Sequence, residues 1–202
     1  MFAKALIGLS LLLAPLEAAE SQTQTVEELR SGVGEVERSS AGLIHRSSGF
    51  VFPVTLGSSP ARETTTYAPG NADVYYTLLG GGNGDAWLTL YLYPASGSLV
   101  EEAAGAATAI RERWQVKEVP APVAMGPMPA GAREEWFEGS VAGLEVLTGY
   151  RLIRSGNWFI KARLTIPKSG GEQAMLRGQQ ALRAVPWAWQ NVRRTALVTT
   201  PH

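Results

Sequence analysis

On either side of a glycine cluster, the side chains of this chain change character at every second residue. In "ADVYYTLLGGGNGDAWLTLYLYP", residues 72 to 94, Val74, Tyr76 and Leu78 alternate with Tyr75, Thr77 and Leu79 before the glycines. After them Leu88, Leu90 and Leu92 alternate with Trp87, Thr89, Tyr91 and Tyr93. A period of two places successive side chains on opposite faces of an extended strand, so both flanks are predicted to be strands. The cluster "GGGNGD" superficially resembles a phosphate cradle, but a cradle aims its backbone N–H groups at an anion from the start of a helix. Here a strand follows. The third glycine of a dinucleotide fingerprint is replaced by Asp85, and the Gly-Lys-Ser/Thr ending of a P-loop is absent. Residues tolerant of positive φ between two alternating runs predict a hairpin turn.

The same reading extends along the chain. "GFVFPVTLGS" and "ARETTTYA" are rich in β-branched and aromatic residues and are separated by turn formers, so they too are predicted strands. "SGSLVEEAAGAATAIRERWQ" is predicted to be a helix. Ser98 can cap it, Glu101 and Glu102 suit its positive end, and Arg111 and Arg113 suit its negative end. Leu99, Ala103, Ala106, Ala107, Ile110 and Trp114 form its apolar stripe. The proline-rich stretch 119 to 132 cannot be regular and reads as a loop crossing the domain. Three more strands follow, with turns at "SVAG" and "RSGN", and in the last of them Trp158, Ile160, Ala162, Leu164 and Ile166 share a face. A second helix carries Ala174, Gly178, Ala181, Leu182 and Val185 on one side, and Pro186 ends it.

The expected fold class is therefore α+β, an antiparallel β-sheet flanked by two α-helices in a single domain over residues 42–190. Residues 1–19 have the build of a secretory signal peptide, with Lys4 in a short basic start, an apolar run to Leu16, then small residues. Residues 20–41 are a polar N-terminal arm, in which Thr25 and Glu28 can form a capping box for a short helix, and 191–202 form a C-terminal tail. The expected location is periplasmic or extracellular, with no membrane span once the signal is removed.

The order of elements, with a helix after "LYLYP", a crossing loop, a meander ending "WFIKARLTIP" and a closing helix, resembles PsbP-like domains. The chain is also similar to small exported bacterial proteins with an "FP…YxYP" pattern, here Phe52-Pro53 and Tyr91 to Pro94. The resemblance implies a sandwich with helices on both sides of the sheet and an accessory or binding role. It transfers no catalytic residue.

Composition narrows the chemistry. The chain has no cysteine, which removes thiol catalysis, zinc ribbons and iron–sulfur centres. Lys+Arg and Asp+Glu are 18 each, so no overall field attracts nucleic acid. Asp73 and Asp85 are the only aspartates, which counts against EF-hand-type metal loops. No cofactor and no metal are expected. His45 and His202 are the only imidazoles; no serine nucleophile elbow accompanies them, and Arg46 beside His45 would disfavour protonation. The pairs Glu101-Glu102 and Glu134-Glu135 are sequence neighbours, which do not face one another on a helix or a strand.

One surface stands out. If Leu88, Leu90 and Leu92 face the first helix, then Trp87, Tyr91 and Tyr93 lie opposite, where Phe159, Lys161, Arg163 and Arg151 can join them. Rings beside cations suit a ligand or a protein partner. Burial of the same rings under the second helix is the competing expectation. The candidate contact residues are Trp87, Tyr91, Tyr93 and Arg163, in an exported, non-catalytic binding or accessory module whose partner is a protein or small molecule. The alternatives are a hydrolase using His45 with a carboxylate, and a structural subunit of a cell-envelope complex.

Overall fold

The computed structural model describes residues 22–25, 34–78 and 84–189. The expected signal segment, the 191–202 tail and most of the glycine cluster lie outside the described residues. Among the described residues twelve strands and two α-helices follow one another: β1 (Gln22–Thr25), β2 (Val36–Ser39), β3 (Gly42–His45), β4 (Val51–Phe52), β5 (Thr55–Leu56), β6 (Ser59–Ala68), β7 (Asn71–Thr77), β8 (Trp87–Pro94), α1 (Leu99–Arg113), β9 (Gln115–Val119), β10 (Arg133–Val141), β11 (Leu144–Ser155), β12 (Trp158–Pro167) and α2 (Gly171–Ala184). Eight strands pair antiparallel in the order β1-β6-β7-β8-β12-β11-β10-β9, and β5 adds to β6 as the ninth. A separate sheet runs β2-β3-β4.

The expected α+β sandwich is therefore not what forms: among the described residues 49% strand outweighs 23% helix, in one large sheet plus a small one, and the two helices cover only part of the large sheet. The missed strands explain the difference. β1 and β9 are polar strands at the two edges of the large sheet, where one neighbour suffices and no buried face imprints an alternation. β2 to β5 are only two to four residues long. Thr25, expected to cap a helix, instead pairs with Glu63 in β1, and Glu28 lies outside the described residues. Strand β9 follows α1 directly, where the sequence shows only a polar exit from the helix.

The hairpin around the glycine cluster forms as its flanks require. β7 and β8 pair antiparallel from Ala72↔Leu92 to Thr77↔Trp87, and the Leu78 N–H donates to the Ala86 carbonyl at 2.8 Å beyond the last pair. A strand, β8, follows the glycines, and at Gly84 the backbone packs against Gly170, the residue that precedes α2: a Cβ on Gly84 would stand 3.4 Å from Gly170 Cα.

Each helix sits on one face of the large sheet, in the reverse of the expected assignment. Leu88, Leu90, Leu92, Ile160, Ala162 and Leu164 pack with Ala174, Ala181 and Leu182 of α2, the second helix. Gly178 permits this approach, because a Cβ there would stand 2.9 Å from a Leu164 methyl group. Each fully buried leucine of that face contributes about 1.5–3 kcal/mol. On the opposite face Ala103, Ala106, Ala107 and Ile110 of α1 meet Phe137, Tyr150, Leu152 and Phe159. Ser98 and Glu101 cap α1 reciprocally, with Ser98 N–H donating to the Glu101 carboxylate at 2.9 Å and Glu101 N–H to Ser98 Oγ at 3.2 Å. Helix α1 lies over β9, β10 and β11, leaving the β7–β8 part of the same face outside its main contacts.

The 119–132 segment crosses the sheet on the α2 side. Its one turn of 3-10 helix, Val123–Met125, buries Met125, and Arg151 beneath donates to the carbonyls of Met125 and Gly126. Among the described residues no helix is long and apolar enough to cross a membrane.

Candidate functional site

The register of three neighbouring strands assembles the aromatic and basic residues. β8 pairs with β12 so that Tyr93 opposes Phe159, Tyr91 opposes Lys161, and Thr89 opposes Arg163. On the other side of β8, Asp73 opposes Tyr91. Asp73, Tyr91 and Lys161 thus form one row across the sheet, with Arg163 two residues along on the same face. Directly opposed residues on one face are close enough to interact.

Their contacts are specific. The Lys161 ammonium lies 5.0 Å from the Tyr91 ring centroid and 4.9 Å from that of Tyr93. It is 3.8 Å from the Glu102 carboxylate of α1, to which the Tyr93 hydroxyl donates at 2.5 Å. The Tyr67 hydroxyl donates to Asp73 Oδ2 at 2.6 Å. The Arg163 guanidinium carbon lies 3.8 Å from the centroid of Trp114, the residue that closes α1. Its Nε and Nη2 are buried and make no well-formed hydrogen bond, although the Tyr91 hydroxyl interacts with the guanidinium.

Burial sets the protonation of the row. It pushes the Asp73 carboxyl up to about 6, against the hydrogen bond from Tyr67. It raises Tyr91 and Tyr93 above the ordinary phenol range and lowers Lys161, with Glu102 opposing the last shift. Arg163 is lowered by burial as well, yet a guanidinium stays charged at any working pH.

Two hollows share this row. One, about 110 Å³, opens between α1 and the sheet and is lined by Tyr91, Ala109, Ile110, Tyr150, Lys161 and Arg163 among others. The other, about 300 Å³ and more open, is lined by Tyr67, Asn71, Tyr91, Tyr93 and Lys161. Tyr91 and Lys161 form the sill between them.

Of the four residues singled out from sequence, Tyr91, Tyr93 and Arg163 come together here. Trp87 lies on the same face at the far end of β8, opposite Thr165, and lines neither hollow. Arg151 is on the other face: it opposes Ala162, whose neighbour Leu90 faces α2, and it pairs with Glu134 in the interior. The rings are half-buried, and the helix over them is α1, the first helix rather than the second. Asp73, Tyr67, Glu102, Tyr150 and Trp114 were not assigned to the site from sequence. Asp73 shares the face of Tyr75 and Thr77, but only strand register shows that it meets Tyr91. Trp114 read simply as the end of an apolar stripe.

His45 is fully buried, with 0% of its surface exposed, edge-on to Trp158 at 5.2 Å and to Phe52 at 6.3 Å between ring centroids. Its Nδ1 is 2.8 Å from Ser48 Oγ, and Glu35 is 3.8 Å from Nε2. Burial lowers its pKa to about 4, while Glu35 works in the opposite direction; Arg46 pairs with Glu37. The imidazole is thus neutral, as a base must be, but shut off from solvent, and a general base has to come within hydrogen-bond reach of its substrate. Glu134 and Glu135 diverge as neighbours on a strand do, Glu134 to Arg151 and Glu135 to Tyr150 and Arg111. Among the described residues no three His, Cys, Asp or Glu side chains are grouped to hold a metal ion.

A third hollow, about 480 Å³, lies between the β11–β12 turn and the segment after α2, lined by Arg154, Ser155, Trp187 and Trp189 among others. Its polar side chains serve the protein's own backbone: Arg154 donates to Gly156 and Gly97 carbonyls, and Ser155 to that of Trp189. It therefore offers less free hydrogen-bonding capacity than the hollow at Arg163.

Compared with known proteins, the chain matches no family model, no curated protein and no solved structure. The resemblance to PsbP-like domains is neither supported nor opposed by these comparisons.

Proposed function

We propose that the protein is a non-catalytic binding module that acts after export and takes a small ligand on the aromatic and basic face beside α1. The observation that carries this reading is the pair of adjoining hollows sharing Tyr91 and Lys161. Concave sites with a few convergent polar groups among apolar and aromatic walls are where small molecules bind. The absence of a solvent-reaching base at His45 favours binding over hydrolysis. Export is supported by the sequence of residues 1–19.

The test uses Ala109, an exposed residue on α1 that lines the smaller hollow. Ala109→Phe should obstruct that hollow without entering the core. A panel of metabolite-sized compounds is screened by thermal unfolding, since ligand at 100 times its Kd stabilises by about 2.7 kcal/mol. Compounds that raise the wild-type melting temperature should lose that effect in Ala109→Phe. Equal shifts in both proteins would contradict the placement.

A second reading is favoured by one feature. Val123 is 99% exposed and Met128 50% exposed on the crossing loop, which suits a protein partner and an accessory role in an envelope complex. Val123→Asp should then abolish a stoichiometric crosslinked complex without affecting the fold.

A further inference from the structure

We propose that the hollow beside α1 is an oxyanion site, in which the Nε/Nη2 edge of Arg163 grips a carboxylate or phosphate group of the ligand and Lys161 supplies a second positive charge. The inference rests on the binding reading above and adds the chemical class of what is bound.

The two unpartnered nitrogens of Arg163 are the informative pair. Nε–H and Nη2–H lie on one edge of the guanidinium and point in parallel, the geometry that meets two oxygens of a carboxylate or phosphate at once. Each is buried and makes no well-formed hydrogen bond, the neutral Tyr91 hydroxyl being a protein oxygen that interacts with the guanidinium. Leaving such donors unpaired is costly, and more so on a charged group.

The nearby carboxylates are committed elsewhere. Glu102 accepts from Tyr93 and faces Lys161, Glu135 serves Tyr150 and Arg111, and Asp73 accepts from Tyr67. Trp114, stacked at 3.8 Å, fixes the plane of the guanidinium and so the direction of the free edge. A ligand cation is disfavoured by Arg163 and Lys161 together on the walls of the hollow.

Size limits the group that enters. About 110 Å³ accommodates a carboxylate or phosphate but not a nucleotide or a sugar ring with its substituents. The remainder of a larger ligand would pass over Tyr91 and Lys161 into the open hollow of about 300 Å³. Because the two nitrogens are buried, an arriving anion reaches them only as the side chains at the edge give way, and the Trp114 ring stacked on the guanidinium face reports the change.

The experiment is a titration of the full-length protein, labelled with ¹⁵N, followed at the arginine Nε–H and tryptophan indole signals. Acetate, inorganic phosphate and neutral glucose are the three probes, at constant ionic strength. Arg163→Lys and Trp114→Phe assign the two signals. Acetate or phosphate should shift the Arg163 Nε–H saturably, with the Trp114 indole moving at the same midpoint and glucose producing no change. The anion that saturates first separates a carboxylate site from a phosphate site. Arg163→Lys, which keeps the charge but loses the two-pronged edge, should weaken binding by at least about tenfold, read on the indole signal.

A linear, non-saturating response to both anions, or equal affinity in Arg163→Lys, would overturn the oxyanion assignment. The two proposals fail separately. If compounds sensitive to Ala109→Phe prove neutral and leave the Arg163 Nε–H unmoved, the binding face stands and the oxyanion falls. If no compound is sensitive to Ala109→Phe and neither anion saturates, both fall.

Discussion

Trp114 and Arg163 stack with the guanidinium carbon 3.8 Å from the ring centroid, joining the end of α1 to the middle of β12. The contact holds the cation of the candidate site in one orientation. A cation over a tryptophan face contributes about 0.5–2 kcal/mol depending on its desolvation. Trp114→Leu should therefore lower unfolding free energy by roughly that amount. In a double-mutant cycle with Arg163→Met, urea titrations should show a coupling of the same size. A coupling near zero would mean that the stacking adds nothing to stability.

Arg151 and Glu134 form an ion pair inside the protein, 2% and 8% exposed at their side chains. Removing one partner leaves a buried charge without its counterion, which costs about 3–5 kcal/mol, whereas replacing both with apolar residues is often neutral. Arg151→Met should be severely destabilising in chemical denaturation, the more so because Arg151 also donates to the carbonyls of Met125 and Gly126. Adding Glu134→Leu should recover part of the loss. A double variant no better than the single one would show that the carbonyl contacts, rather than the ion pair, carry the effect.

His45 and Asp73 give opposite dependences on pH. The folded His45 titrates at about 4 rather than the ordinary 6.5, so between those values the unfolded chain holds a proton that the folded chain lacks. Stability from this group is lost as pH falls from 6.5 to about 4, by an amount of order 3 kcal/mol. The folded Asp73 titrates at about 6 rather than 3.8, so its contribution is present at low pH and lost as pH rises through that window. The two slopes largely offset each other between pH 4 and 6. Asp73→Asn should therefore steepen the acid loss of thermal stability, and His45→Gln should reverse its sign. Parallel melting-temperature profiles for both variants and wild type would contradict these protonation states.

The central hairpin, both helices, the crossing loop and the faces of β8 and β12 were legible because one side of each is buried, and burial writes a period into the sequence. Leu88 to Leu92 and Trp158 to Ile166 are the plainest cases. Edge and short strands left no such period: Gln22–Thr25 is wholly polar, and Val51–Phe52 is too short to alternate. Which helix covers which face is also absent from periodicity, since both helices present small alanines at similar spacing. At the site, Tyr91, Tyr93 and Arg163 were visible as rings and a cation on alternating positions. The pairing of Asp73 with Tyr91 and the stacking of Trp114 depend on register and on the path of α1, which residue types do not encode locally. Arg151 illustrates the limit, because a single step of parity placed it with Glu134 and the carbonyls on the other face.

The most direct measurement is the stability of Arg163→Met in the absence of any added anion. If the Nε/Nη2 edge exists to hold a ligand, the free protein bears two buried donors without well-formed hydrogen bonds, and relieving them should offset the loss of the Trp114 stacking, so that an apolar chain of similar length leaves the unfolding free energy unchanged or raises it. If instead Arg163 is an ordinary structural residue, the same substitution should destabilise the protein by more than about 1 kcal/mol, and that result would contradict the account.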